Sequence, residues 1–178
     1  MRTVNERRRS VMRIVAFLIV SALVATSAWA RLGETAAQAA KRYGPGSESR
    51  SFPGVTDYPA DKVQVRMYTN GVITVYAIFF PNKSGESVIG LMMFDFPSAD
   101  AQAAARPAIL EANSAGEKWE GSQWTAYSRP GATAYVANMP YDDKLVLRLN
   151  EFTEFCKGIE AKGKQEEIDK TKKSVQGF

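Results

Sequence analysis

The side chains best suited to chemistry in this sequence are carboxylates around one turn. Asp142 and Asp143 are adjacent, and Asp95 and Glu151 could lie close to them. Paired carboxylates can act as general acid and base, and a group of carboxylate oxygens can bind Ca²⁺. Aspartate also favours turns because its side chain bonds to the nearby backbone. Since the turn alone accounts for the pair, we predict neither a catalytic residue nor a metal site here.

The chain offers few other groups for catalysis. It contains no histidine, which removes the usual general base near neutral pH, the Ser-His and Cys-His pairs and nearly all zinc sites. Cys156 is the only cysteine, so no disulfide can form within the chain. A neighbouring lysine can lower the pKa of a thiol, but we predict that Cys156 is partly buried and unreactive. The sequence therefore predicts a protein that is not an enzyme and uses no cofactor.

A different candidate is an apolar surface for a partner protein. The segments 72–80 and 88–96 are apolar on both faces of the strands that they predict. They form either a hairpin buried on both sides or an exposed strip that binds a partner, since large exposed apolar patches mark interfaces. Both interpretations stay open at this stage.

Aromatic residues in the second half of the chain pose the same choice. They either pack between sheet and helix or anchor a partner protein, as aromatic side chains often do at interfaces. These residues are Trp119, Trp124, Tyr127, Tyr135 and Tyr141. The candidate interface residues of the whole chain are Tyr76, Ile78, Phe80, Phe94, Trp119 and Trp124.

The first thirty residues have the pattern of an export signal. Five arginines and one acid, Glu6, precede an apolar run at 14–24, and small residues follow at Ala28 and Ala30. This order is typical of a signal peptide, and the apolar run is shorter than the roughly 20 residues of a membrane-spanning helix. We predict cleavage after Ala30 and a periplasmic or secreted protein. No lipid anchor is expected, because no cysteine lies near the cleavage site.

The positive charge of the chain belongs to this leader. Residues 1–30 hold five of the 23 basic and one of the 19 acidic residues, which leaves 18 of each in the predicted mature chain. A mature chain without net charge gives no electrostatic reason to bind nucleic acid. We therefore expect another protein as the partner, with no nucleic acid and no membrane tether.

Hydrophobic periodicity and turn residues predict two similar halves. Thr35 and Gln38 have the spacing of a helix capping box, and Asn70-Gly71 is a hairpin turn signal. A kink or a break is expected at Pro107, inside the second helix. The predicted elements are a helix at 35–43, a loop at 44–61, strands at 62–69, 72–80 and 88–96, a helix at 98–113, and strands at 123–128, 133–138 and 144–151.

This order predicts an α+β domain with an antiparallel sheet and helices on one face. Each half, 31–97 and 98–152, has one helix and three strands, and residues 153–178 form a charged helical or disordered tail. In the last strand Leu145, Leu147 and Leu149 would face the core. The alternate residues of that strand, Val146 among them, would face water.

Two stretches carry a resemblance to a known family. They are residues 33–44, GETAAQAAKRYG, and residues 109–119, ILEANSAGEKW. These stretches resemble small exported bacterial proteins of no assigned activity, whose charged tail the terminal Gly177-Phe178 also fits. The resemblance covers most of the predicted mature chain and implies no site residue.

More distantly, the G-x-T-x-x-Q pattern from Gly33 to Gln38 resembles the first helix of the small lipoproteins of the β-barrel assembly machinery. The repeat of helix and sheet is similar to that of the secreted β-lactamase inhibitor proteins. Both groups are binding proteins, so these resemblances imply binding rather than catalysis. The chain departs from the lipoproteins because it lacks their lipidated cysteine.

Three hypotheses for function follow. The first is a non-catalytic binding or adaptor protein of the bacterial envelope that recognises another protein through a sheet face or the apolar hairpin. The second is a secreted inhibitor that plugs an enzyme cleft with a loop, at 44–61 or 81–86. The third, an enzyme that uses carboxylates alone, would need a cleft of paired acids that the spacings do not indicate.

Overall fold

A computed structural model describes residues 31–50, 52–53, 58–137 and 143–175. The predicted signal peptide, Tyr141, Asp142 and the terminal Gly177-Phe178 lie outside these residues. In the described ranges the strands are β1 Ser47–Ser49, β2 Gln64–Asn70, β3 Ile73–Pro81, β4 Ser87–Asp95, β5 Glu120–Ser122, β6 Ala126–Arg129, β7 Ala132–Ala137 and β8 Lys144–Leu149. The helices are α1 Ala36–Tyr43, α2 Ala99–Ala112 and α3 Asn150–Val175.

The strands form one antiparallel sheet in the order β1-β2-β3-β4-β8-β7-β6-β5. Each half is a meander preceded by a helix, and the two meanders meet where β4 pairs with β8. The α+β prediction is confirmed. Each half contains one more strand than predicted, because β1 and β5 are three-residue polar segments without an alternating pattern. Such short polar strands suit a sheet edge, where long apolar strands would invite aggregation.

Helices α1 and α2 pack on one face of the sheet. Ala39 of α1 and Ile109 of α2 are fully buried there against Val75, Ala77 and Phe94. The capping box that begins α1 is present, as predicted. Its two residues bond reciprocally: the Gln38 backbone N–H donates to the Thr35 hydroxyl at 3.3 Å, and the Thr35 N–H donates to Gln38 Oε1 at 2.8 Å.

The opposite face of the sheet is covered too, so the prediction of a wet face is wrong at its centre. Val146 was expected to face water but is 1% exposed. It lies between Met93 and Tyr135 in the sheet register, and this row continues to Tyr76. Phe152, at the start of α3, packs into the same cluster and is fully buried. The apolar row across neighbouring strands therefore needs a cover, and the first turns of α3 supply it.

A glycine makes room for α3 on this face. A Cβ at Gly90 of β4 would lie 2.6 Å from the Phe80 ring and 2.8 Å from Phe152. These two rings pack edge-on with centroids 5.3 Å apart. Any larger side chain at Gly90 would have to displace one of them.

Substitution Gly90→Ala is expected to lower the free energy of unfolding by about 1–3 kcal/mol, because the added methyl overpacks the Phe80–Phe152 contact. Gly158→Ala is the matched control, since a Cβ there meets nothing within 4 Å. That control should be stabilising by about 0.5–1 kcal/mol, because alanine is the better helix former. Urea unfolding followed by circular dichroism measures both changes. Equal effects would contradict the close packing at Gly90.

Helix α2 runs through Pro107 without a break, so of the predicted kink or break, the break is wrong. A proline cannot bond to the carbonyl four residues earlier, which here belongs to Ala103. Ala103 and Pro107 both lie on the exposed side of the helix. The freed carbonyl therefore faces solvent, where water can satisfy it.

The charged tail is helical to Val175 as part of α3. Residues 160–174 are exposed throughout, and Glu160 pairs with Lys164 along the helix at 2.6 Å. No described helix is both long enough and apolar enough to cross a membrane.

Candidate functional site

Three of the six predicted interface residues are core residues. Ile78, Phe80 and Phe94 are at most 1% exposed, so the interpretation of an exposed apolar strip is wrong for them. The β3–β4 hairpin is buried on both sides, which is the other interpretation that the sequence left open. Tyr76 is half-buried, with its ring 6.2 Å from that of Phe52. The three buried side chains hold the sheet together and offer no surface to a partner.

Trp119 is also used inside the molecule. Its indole N–H donates to the Leu110 carbonyl at 2.7 Å, and the guanidinium of Arg129 lies 5.2 Å from the ring centroid. Arg129 Nε in turn donates to the Asn113 carbonyl at 2.7 Å. Trp119 therefore fixes the end of α2 against the sheet.

Trp124 is different because its side chain is 83% exposed. In the described ranges, the other large apolar side chains in the open are Val72, in the β2–β3 turn, and Ile168, on α3. Trp124 sits in the turn of the β5–β6 hairpin. A large aromatic ring left in water is unusual and often marks a binding surface.

The hairpin that carries Trp124 is held rigidly. The Trp124 backbone N–H donates to the Ser122 hydroxyl at 3.3 Å, and the Thr125 N–H donates to the Ser122 carbonyl at 3.2 Å. Ala126 has a φ of 81°, in the left-handed region that costs energy for a residue with a Cβ. Gly121 faces it, and a Cβ at Gly121 would collide with the Ala126 carbonyl oxygen.

Helix α2 supports the hairpin from below. Arg106 Nη1 donates to Gln123 Oε1 at 2.8 Å, and the Arg106 guanidinium lies 5.9 Å from the Tyr127 ring centroid. These contacts fix one side of the guanidinium. No other acceptor for it lies within the described part of the chain, so its remaining N–H groups can receive a ligand.

A groove of about 480 Å³ separates α2 from the hairpin. Its lining includes Asp100, Gln102 and Arg106 from α2, with Gln123 and Trp124 from the hairpin. Gln102 is 2% exposed, and its amide nitrogen has no hydrogen-bond partner among the described residues. A buried amide without a partner costs about 1–3 kcal/mol, so such a group calls for an explanation, and a bound acceptor supplies one.

No family model, curated protein or solved structure matches the chain. The resemblances drawn from the sequence stay predictions.

Of the candidate carboxylates that the structure describes, Asp95 and Asp143 come together, while Glu151 bonds elsewhere. Lys144 Nζ lies 3.0 Å from Asp95 and 3.8 Å from Asp143, so both carboxylates share one ammonium. Burial alone would lower the pKa of Lys144, but the hydrogen bond and charge of Asp95 raise it. Glu151 instead accepts a bond from the Lys83 backbone N–H at 2.8 Å. Within the described residues, no three potential ligand side chains gather closely enough to hold a metal ion.

Cys156 is partly buried, as predicted. It lines a second groove, of about 610 Å³, together with Tyr58 and Arg148. Burial raises the pKa of the thiol, against the opposing charge of Arg148. The neutral thiol is therefore the main form near pH 7, and it is the less reactive one.

The two loops proposed for an inhibitor differ in what they offer. The 81–86 turn is rigid, because Asn82 Oδ1 accepts bonds from the Ser84 and Glu86 N–H groups at 3.0 and 2.9 Å. Its tip has no apolar side chain to anchor in a cleft. The 44–61 loop contains β1 and the buried Phe52, so part of it belongs to the sheet and the core.

Sequence reasoning overlooked Gln102, although the sequence contains a signal for it. Gln102 is seven residues before Ile109, so the two lie on the same side of α2. A glutamine on the core-facing stripe of an alanine-rich helix is a polar group in an apolar place. That conflict could have identified it as a candidate binding residue.

Proposed function

We propose that this chain is a non-catalytic, exported binding protein that recognises another protein through Trp124 and the adjoining groove. The observation that carries the proposal is the 83% exposed indole. Tryptophan is enriched among the residues that contribute most to protein interfaces. Export is supported by the pattern of residues 1–30 and is part of the same proposal.

The rigidity of the hairpin strengthens the proposal. A partner that binds a preorganised side chain does not lose the free energy needed to order it. The turn bonds of Ser122 and the contact between Arg106 and Gln123 provide this order before binding. This arrangement includes a strained Ala126 and an exposed indole, both of which are unfavourable for folding, and neither one packs in the core.

Substitution Trp124→Ala is expected to leave stability within about 0.5 kcal/mol, since little packing is lost at an exposed site. Binding to the partner should weaken about 30-fold or more, which corresponds to the roughly 2 kcal/mol of an interface hot spot. The full chain with a carboxy-terminal tag is used to capture proteins from the envelope and the culture medium. Captured proteins are quantified by mass spectrometry for both variants.

The matched control is Val72→Ala, which removes an exposed apolar side chain from the turn between β2 and β3. A partner should be retained by this control and lost by Trp124→Ala. If both variants capture the same proteins as the unaltered chain, the proposed site is wrong. A partner contact confined to Trp124 and Gln123 would favour an inhibitor that inserts the hairpin tip into a cleft. A partner contact that extends along α2 would favour an adaptor.

A further inference from the structure

The groove beside Trp124 has a chemical preference that its donors define. Gln102 and Arg106 are four residues apart on α2, so their side chains lie next to each other on one side of the helix. Gln102 Nε2 has no acceptor among the described residues, and Arg106 has only one, Gln123 Oε1. Both groups donate hydrogen bonds, so the missing ligand atom is an acceptor.

The charge at this place favours an ionised acceptor. Hydrogen bonds from an arginine to a carboxylate are stronger and shorter than those to a neutral oxygen. The acid that also lines the groove, Asp100, forms no ion pair with Arg106 among the described residues. The guanidinium charge is therefore not already neutralised by a carboxylate of α2.

Trp124 defines the second half of the ligand. It lines the same groove, and most of its indole is still in water. An aromatic or long aliphatic side chain laid on this ring would remove apolar area of both partners from water. The two requirements fall within one groove, so one short segment of polypeptide can meet both.

We propose that the groove binds a peptide segment of the partner in which a carboxylate stands close to an aromatic or leucine side chain. The carboxylate accepts hydrogen bonds from the open side of Arg106 and from Gln102 Nε2, which is enclosed in the free protein and turns toward the groove on binding. The apolar side chain covers Trp124. This inference rests on the proposed function and specifies its partner. The carboxylate could belong to an aspartate, a glutamate or a chain end.

The test uses a library of short random peptides displayed on phage and selected on the tagged full chain. Enriched peptides should share an acid within a few positions of an aromatic residue or leucine. The best peptide is then synthesised with a fluorescent label, and its affinity is measured by fluorescence anisotropy. Replacing its acid by the corresponding amide should weaken binding at least about tenfold, because the charged bond to arginine is lost. Amidation of the peptide end separates a terminal carboxylate from a side-chain one.

Three variants of the chain test the donors. Gln102→Met and Arg106→Gln should each weaken the peptide at least about tenfold, and Arg50→Gln, at an exposed arginine of the first half, should not. Gln102→Met should also unfold at an equal or higher temperature, because methionine fills the same space without an unsatisfied amide. That combination distinguishes a ligand-binding amide from one with a structural role.

Several results would overturn the inference. Peptides that require Trp124 but neither an acid nor Gln102 and Arg106 would refute the carboxylate while leaving the proposed function intact. Peptides that bind equally well after Trp124→Ala would refute both. Failure to enrich any peptide would refute a peptide ligand. So would acidic polysaccharides whose binding is weakened by the Gln102 and Arg106 variants in the same way.

Discussion

Replacing Phe152 by alanine is expected to lower the free energy of unfolding by about 3–5 kcal/mol, the usual cost of removing a buried phenylalanine. Phe152 is fully buried. Its ring packs against Phe80 at 5.3 Å between centroids, and the Arg148 guanidinium lies 5.3 Å from it. Truncation would leave a cavity between α3 and the sheet and would weaken the attachment of the whole helix.

Urea unfolding followed by circular dichroism and by tryptophan fluorescence measures this loss. The matched control is Ile168→Ala on the same helix, where the side chain is 48% exposed and the expected change is within about 0.5 kcal/mol. Equal changes in the two variants would show that α3 is not part of the cooperative core. A transition of α3 before that of the sheet would lead to the same conclusion.

The second large effect is expected at Asn113, which is 3% exposed at the end of α2. Its Oδ1 accepts a bond from the Leu32 N–H at 2.8 Å, and its Nδ2 donates to the Ile109 carbonyl at 2.9 Å. Asn113→Ala removes both bonds and leaves the Leu32 N–H without its acceptor, while the Ile109 carbonyl keeps the bond from the Asn113 backbone N–H at 3.1 Å. We expect a loss of about 2–4 kcal/mol, from about 1–3 kcal/mol for the unsatisfied N–H and about 1 kcal/mol for the lost bond to Ile109.

Hydrogen exchange gives this prediction a local readout. The Leu32 amide should exchange much faster in Asn113→Ala, because its acceptor is gone, while amides of the β6–β7 region should change only with global stability. Glu111→Ala, at an exposed position of the same helix, is the control and should change neither quantity. Slow exchange of Leu32 in the Asn113 variant would contradict the bond.

Much of the fold could be predicted from local chemistry. Hydrophobic patterning and turn residues placed β2, β3, β4, β7 and β8 within a few residues of their observed bounds, and the capping box at Thr35 placed α1. These signals are local, since a strand face and a helix start depend on neighbouring residues. The short strands β1 and β5 could not be found this way, because only their pairing with β2 and β6 makes them strands.

The cover on the second face was within reach of the sequence. Phe152, Phe155, Cys156 and Ile159 follow the spacing of one apolar helix face, and this stripe begins before the charged tail. The predicted domain ends at Phe152, before the tail. The prediction therefore contains no helix that covers the sheet face of Val146. Periodicity shows that a helix is amphipathic but not which surface it covers.

The candidate site was only partly predictable for a related reason. A strand that is apolar on both faces looks the same in sequence whether it is buried or exposed. The sequence therefore predicts Ile78, Phe80 and Phe94 as interface residues together with Trp124. Exposure depends on which element lies above each residue. Recognising Gln102 as a candidate binding residue requires two facts, its place on the buried stripe of the helix and its lack of a hydrogen-bond partner. Only the three-dimensional packing supplies the second fact.

The junction of β4 with β8 also bears on the order in which the chain acquires its structure. The other strand pairs join strands that follow one another along the chain, whereas Asp95 and Lys144 at this junction are 49 residues apart. Contacts between near neighbours form quickly, while distant ones wait for a long loop to close. Each meander can therefore assemble by itself, and the encounter of the two should be the slow step of folding. Until that encounter, the apolar edges of β4 and β8 would stay uncovered, which is the period when the chain is most exposed to aggregation.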